Sequence, residues 1–500
     1  MRVTGLVRGL VVAVLGFLAQ GCAPDPLSGT ASAPDTPWAP AGAAAPAAGT
    51  AGDFAVPANP AIGAPAAGVR SGRLYDLPEL IDLAQRSNPA TRLAWEQARQ
   101  AALAQGMVEA TFLPILTANV IGGWQNVVTP LPDLEGGTDY VSTEASGVAP
   151  NLALQWLVFD FGQREAWREA ARQNAYAANV TFNGAHQALI YDVARAYYQY
   201  GAARSDLGLA ERARGNSRRI AEAAEARYRN GVGTSIEVAQ AKQLVAQSNL
   251  RLVQAQDSQR DAYQDLLGAV GISPRSSIRV SDTSGRRLPS ARALPSDALI
   301  ETALARRPDV LASYAAVKAS EAGERAAEAD FMPKVYMGAV AGTENTSLQT
   351  GNLPGIGAEG TSTGVILGLS IPLYDGGLRA ANQKRAQSTT AAAAAAFERT
   401  RDAATREMVV ASDTLRSTLE AHTAAVALTS AAQVTYDAAF EAYQNGVGTL
   451  TDAIAAENGL LDAREARADA HAAAQIAAAT LAFSLGAMTS RAAPAQALAR

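Results

Sequence analysis

Chemistry-bearing side chains are scarce in this chain. Its 500 residues hold one cysteine, three histidines and four lysines, and aromatic residues make up 6%. A single cysteine excludes a disulfide scaffold. No H-E-x-x-H, P-loop or CxxC pattern occurs anywhere. The chain is therefore not expected to be an enzyme, and no catalytic residue, cofactor or metal site is assigned. Positive charge is not in excess either, with 42 basic against 47 acidic residues, so a general nucleic-acid partner is not expected. Hydrophobic residues reach 48%, but much of that is alanine, which buries little area per residue.

The N-terminus reads as a targeting segment. Arg2 and Arg8 give a positive start, Leu10 to Ala19 a short apolar stretch, and Gly21-Cys22 follow. That pattern reads as a bacterial secretory signal over 1–21, its apolar stretch too short for a membrane span. Cys22, the only cysteine, sits where a lipoprotein leader is cut and acylated, and is the candidate lipid anchor. Ala19-Gln20-Gly21 also offers an ordinary small-x-small cleavage. A free thiol at a mature N-terminus in an oxidising compartment favours acylation. Ala23 is compatible with outer-membrane sorting. Residues 22–73 are mostly Ala, Pro, Gly and Thr, a composition that cannot bury enough surface to fold, and read as a disordered tether.

Beyond the tether the sequence repeats itself. Tyr228-Arg229-Asn230-Gly231-Val232-Gly233-Thr234 returns as Tyr443-Gln444-Asn445-Gly446-Val447-Gly448-Thr449, 215 positions on. Phe159-Asp160-Phe161-Gly162 returns as Tyr374-Asp375-Gly376-Gly377 at the same offset, and Phe112-Leu113-Pro114 as Phe331-Met332-Pro333. So long a period fits two halves of one fold rather than a solenoid. The halves are 74–275 and 276–488, with 489–500 as a tail.

Each half predicts helix, strand, loop, strand, long helix, tight turn, helix. Leu77 to Glu109 is one helical stretch, ended by Pro114. Strand-like alternation follows over Ile115–Val128 and again over Leu152–Val158, flanking a Gly/Pro/Asp loop at Thr129–Pro150. Val335–Gly342 and Val365–Leu373 repeat the pair around a loop at Gly342–Gly364. Within that loop, Gly355 to Gly360 matches G-x-G-x-x-G. A dinucleotide fingerprint needs a strand before it and a helix after it, so flexibility explains this one.

Proline-free helical sequence then runs from Gln163 to Arg229 and from Leu378 to Gln444. Such a helix spans roughly 100 Å and needs a coiled-coil partner. Val238, Ala241, Val245, Ser248, Leu252, Ala255, Gln259, Ala262 and Leu266 supply the seam. Asn230-Gly231 and Asn445-Gly446 suit helix-ending turns. Asp160 and Asp375 are expected to cap the helices that follow them. His186, His422 and His471 stand isolated on helices.

Four alternating strands are too few to close a membrane barrel, which needs about eight. Open edges are not tolerated in lipid, so several chains must share one barrel. Three would give twelve strands, although the strand count alone does not fix the number.

Taken together, the duplicated helix-strand-strand-helix unit, Arg307-Pro308-Asp309-Val310, Pro372-Leu373-Tyr374-Asp375-Gly376-Gly377 and the Asn-Gly-Val-Gly-Thr turns resemble the TolC-like outer-membrane efflux proteins. The resemblance covers residues 74–488. It implies an α+β membrane protein: a homotrimer with a 12-stranded outer-membrane β-barrel continuous with a long periplasmic α-helical barrel. The implied function is the exit duct of a tripartite efflux or type I secretion system. Its partners would be a periplasmic adaptor, an inner-membrane pump or ABC transporter, and outer-membrane lipid.

The resemblance further implies that the turns at 230–234 and 445–449 (Asn230, Gly231, Val232, Gly233, Thr234, Asn445, Gly446, Val447, Gly448 and Thr449) form a periplasmic tip that meets the adaptor. Asp452 matches a family acid ringing the closed aperture, and Glu237 is its equivalent in the first repeat. The family's second acid is Ala455 here, a departure from the pattern. A plainer role for Asp452 and Glu237 is interaction with the positive end of their own helices. The competing function is a lipid-anchored coiled-coil scaffold without a pore.

Overall fold

The computed structural model of the protein describes residues 72–132, 138–290, 297–351 and 353–488. The expected leader, Cys22, the tether as far as residue 71 and the C-terminal tail lie outside the described residues.

Proline chemistry shapes the start of the fold. After the short strand β1 (Leu74–Tyr75), helix α1 (Leu77–Ser87) opens on a capping box. Asp76 Oδ1 accepts from the Glu79 amide at 2.9 Å, and Glu79 Oε2 accepts from the Asp76 amide at 3.1 Å. The single helix expected over 77–109 is in fact two, because Pro89 has no N–H to continue the ladder. Asn88 serves both halves of the break. Its amide donates to Ala84 O to end α1, and its side chain accepts from the Ala90 amide to start α2 (Pro89–Ala110).

Strands β2 (Ile115–Pro132), β3 (Thr138–Phe159), β5 (Lys334–Thr350) and β6 (Ile356–Ser370) form one antiparallel sheet, ordered β2-β3-β5-β6. Strand β4 (Arg279–Val280) pairs with β1 in a small parallel ladder. The expected loops Thr129–Pro150 and Gly342–Gly364 belong mostly to the strands, which is a correction. Backbone pairing carries the hairpins past the point where apolar alternation stops, through Thr-, Ser- and Asn-containing segments. Pro130 and Pro132 are accommodated because β2 is an edge strand. Pro150 lies in the central strand β3 and interrupts its ladder with β5, which pairs Val148 with Asn345 and resumes only at Asn151 with Gly342. The hexapeptide 355–360 is likewise not loop, since Ile356–Gly360 pair with Leu348–Glu344. No helix follows it, so it still cannot cradle a dinucleotide.

The long helices have the predicted bounds, α3 over Gln163–Arg229 and α7 over Leu378–Gln444, each of 67 residues. At about 1.5 Å per residue each is roughly 100 Å long. Helix α3 turns back into α4 (Ser235–Val270) and α7 into α8 (Leu450–Ser484), giving two antiparallel hairpins that meet where α3 packs on α8. On the α4 seam Ala241, Ser248, Leu252 and Leu266 are buried, and Val238, Val245, Ala255, Gln259 and Ala262 half-buried. The helices of the second repeat begin with α5 (Asp297–Leu304) and α6 (Pro308–Ala329), the latter against both α3 and α7.

The same joint links sheet to helix in both halves. Asp160 Oδ2 accepts from the Arg164 amide at 3.0 Å and from Arg164 Nε at 2.8 Å. Asp375 treats Arg379 identically, at 3.0 and 2.7 Å. The expected capping role is present, reinforced by a salt bridge that sequence inspection did not anticipate. Glycines 162 and 377 share φ 91° there. One position earlier, Phe161 holds a left-handed φ of 54° where the second repeat has Gly376.

Apolar burial collects in separate clusters along the rods. Leu80, Val193, Tyr197, Leu266 and Val270 anchor the largest, close to the β1–β4 ladder. Another lies at the hairpin tips. Each large side chain so buried contributes about 1.5–3 kcal/mol.

Candidate functional site

The hairpin tips end in turns built twice on one plan. Helix α3 closes with the Val232 and Gly233 amides donating to Arg227 O, at 3.0 and 3.1 Å. Helix α7 closes the same way, Val447 and Gly448 donating to Ala442 O, both at 3.0 Å. Gly231 and Gly446 take φ of 75° and 80°, the left-handed geometry such a stop requires. Gly233 and Gly448 serve closeness instead. A Cβ on Gly448 would stand 2.9 Å from the Ala442 Cβ, and one on Gly233 2.9 Å from the Tyr228 amide nitrogen. The turns leave Val232 and Val447 projecting, 66% and 84% exposed.

The two candidate acids begin the returning helices. Thr234 Oγ1 accepts from the Glu237 amide and the Glu237 carboxylate accepts from the Thr234 amide, both at 3.2 Å, a complete capping box. Thr449 Oγ1 accepts from the Asp452 amide at 3.2 Å and donates to Asp452 Oδ2 at 2.6 Å. Glu237 therefore helps cap its own helix, whereas Asp452 sits in the first turn of its helix and binds the hydroxyl of the capping Thr449. Asp452 is exposed and Glu237 half-buried.

The tips are stitched together by a residue the sequence reading passed over. Arg227 Nη1 donates to Tyr443 O at 3.2 Å, and its guanidinium lies 5.1 Å from the Tyr443 ring centre. Tyr443 is fully buried, and burial, helped by the charge of Glu237, pushes its phenol up. Its counterpart Tyr228 is half-exposed, and the counterpart of Arg227 is Ala442. That asymmetry between repeats was the available signal.

The sequence model of the outer membrane efflux protein family matches residues 80–272 and 299–487. The chain belongs to this family. It is accordingly a channel protein of outer-membrane efflux transport and not an enzyme. It is 27% identical over 400 residues to Protein CyaE of Bordetella pertussis, covering 79% of this chain and 80% of that protein. It is 24% identical over 412 residues to the cation efflux system protein CusC of Escherichia coli, covering 81% and 85%. The solved structure of the outer-membrane channel OprN superposes with a TM-score of 0.69 at 22% identity, over 82% of this chain and 89% of that one.

Seen as a family member, the chain puts its histidines away from the tip. His422 and His471, expected to be isolated, face each other across α7 and α8 with ring centres 5.5 Å apart, a correction. His471 Nε2 lies 3.0 Å from Arg286 O. Both line a groove of about 1220 Å³ with Arg286, Arg416 and Arg467. Burial, then His471 and Arg467, hold the His422 imidazole below its usual value. Among the described residues no group of three or more His, Cys, Asp or Glu could hold a metal. His186 packs edge-on against Phe182, 4.8 Å away.

Proposed function

We propose that the chain is one subunit of a trimeric exit duct, joining an inner-membrane transporter through a periplasmic adaptor to the cell exterior. The observation that carries this reading is an open four-stranded sheet fused to helical rods. Its edge strands β2 and β6 run 18 and 15 residues. Lipid offers no hydrogen bonds to such edges, so they must be closed by other copies. Val365, Leu367 and Leu369 present one exposed aliphatic face, as the lipid side of a barrel wall requires. Three copies would close a 12-stranded barrel, with the hairpins continuing it as a helical barrel in the periplasm. Residues 74–275 and 276–488 are the repeats that build each third.

In this reading the turns at 230–234 and 445–449 form the adaptor-facing tip, where Val232 and Val447 offer apolar contact. Three copies of Glu237 and Asp452 would ring a narrow mouth and favour cations. Cys22 is the acylated anchor that holds the subunit to the outer membrane. The duct couples no energy of its own and leaves cargo selection to the transporter. Reconstitution of the purified full-length protein into planar bilayers tests the proposal. Discrete conductance steps are expected, and their absence from preparations verified as trimeric would defeat it.

A further inference from the structure

Given the duct reading, the two hairpins of each subunit meet along α3 and α8, and parting them there would widen the mouth. Near the tip that seam is apolar. Ile220 and Ala224 of α3 share a cluster with Ala453, Ala456 and Leu460 of α8 and Tyr436 and Phe440 of α7. One carboxylate breaks it. Glu457 of α8 is 3% exposed and accepts a hydrogen bond from Asn216 Nδ2 of α3 at 2.9 Å.

The surrounding charges are engaged elsewhere. Arg219 of α3 lies over the Phe440 ring at 4.8 Å, and Arg464 of α8 donates to Gln433 of α7 at 2.5 Å. Arg251 of α4 acts only through its field. On α7, Asp437 accepts from Gln433, and the Tyr436 hydroxyl is buried with no partner. The equivalent position in the first repeat is Lys242, solvated and paired with Glu225 at 3.1 Å. A buried acid at this level is thus a property of the second hairpin.

We propose that Glu457 is a protonation latch: neutral, it lets α3 and α8 stay closed, and ionised, it loosens the α7–α8 hairpin from α3. An ionised carboxylate with one neutral donor is poorly compensated in an apolar seam, whereas the neutral acid needs little more than that bond. Burial outweighs the Asn216 bond and the three arginines, and raises the carboxyl from 4.5 to about 7. The sign follows from linkage. A raised carboxyl holds the seam closed below its ordinary value, and that contribution is lost as pH rises through about 7. A second acid on the seam, Asp206 of α3, is pushed up to about 6 by burial, then by Asp469 and Glu465 of α8. It lies further along α3, so a local readout separates the two.

Hydrogen exchange on the full-length protein in lipid nanodiscs provides that readout, corrected for the intrinsic pH dependence of exchange. Between about pH 6 and pH 8, segments 213–220 and 453–461 should lose on the order of tenfold in protection. Glu457→Gln should stay protected throughout. Asn216→Val removes a donor that favours the ionised form, so the transition should move to higher pH. A wild-type protein without the transition, or a Glu457→Gln protein that keeps it, overturns the latch. Bilayer recordings run alongside tell the two readings apart. If exchange behaves as stated while verified trimers never conduct, the latch stands and the duct fails.

Discussion

At Gly448 there is no room for a side chain, and the consequence can be measured. A methyl group there meets the Ala442 Cβ at 2.9 Å and backbone atoms at 3.1 Å. Gly448→Ala should therefore destabilise the tip by about 1–3 kcal/mol. Adding Ala442→Gly should recover part of that loss in thermal unfolding, and no recovery would mean the backbone contacts dominate. Glu237 and Asp452 raise a different question, because each carries a charge and also holds the start of a helix, Glu237 through a capping box and Asp452 through the capping Thr449. Replacing both by alanine should raise single-channel conductance if they line the mouth. Asp452→Asn with Glu237→Gln should raise it equally while giving up less stability, since the amides keep hydrogen-bonding capacity and capping groups are worth about 1 kcal/mol. Unchanged conductance in both pairs removes these acids from the aperture.

Between sheet and rod, the Asp160–Arg164 pair is the element-level counterpart. Their side chains are 6% and 10% exposed, so Arg164→Met strands a buried charge and should destabilise by about 3–5 kcal/mol. Asp160→Asn added to it should restore most of the loss. The matching pair Asp375–Arg379 has the more exposed acid, and Arg379→Met should show a smaller effect. If the two single variants melt alike, burial is not what distinguishes the joints. Much of this architecture was legible beforehand. The long helices kept their predicted ends because no proline interrupts them, and the glycines behind them leave little choice of stop. Strand length was not legible, since antiparallel pairing sustains Thr- and Ser-bearing segments that show no apolar face. The break at Asn88 was missed because a proline at a first helical turn looks the same as one starting a second helix. The meeting of His422 with His471 was hidden because it depends on the register of α7 against α8, which neither helix encodes alone. Arg227 and Glu457 escaped for a related reason: their importance lies in what the other hairpin brings to them.

For the molecule as a whole, the unpaired edges of β2 and β6 set the strongest demand. A subunit whose sheet ends in open backbone cannot rest in lipid alone, and it cannot easily remain soluble while Val365, Leu367 and Leu369 face outward. The pore-free scaffold makes the opposite demand, that those faces pack inside protein. Purification of a chain lacking residues 1–73 therefore discriminates between them. The duct reading expects extraction only with detergent and a mass of three chains by light scattering once detergent is subtracted; a soluble monomer without detergent favours the scaffold. Both readings put the proposed anchor within residues 1–73, so it needs its own measurement. Cys22→Ser in the full-length chain should abolish incorporation of radiolabelled palmitate while leaving the trimer intact, because the closing strands hold the subunits together independently of the lipid. Label that persists in Cys22→Ser places acylation elsewhere, and trimers lost with the label would make the anchor part of the assembly.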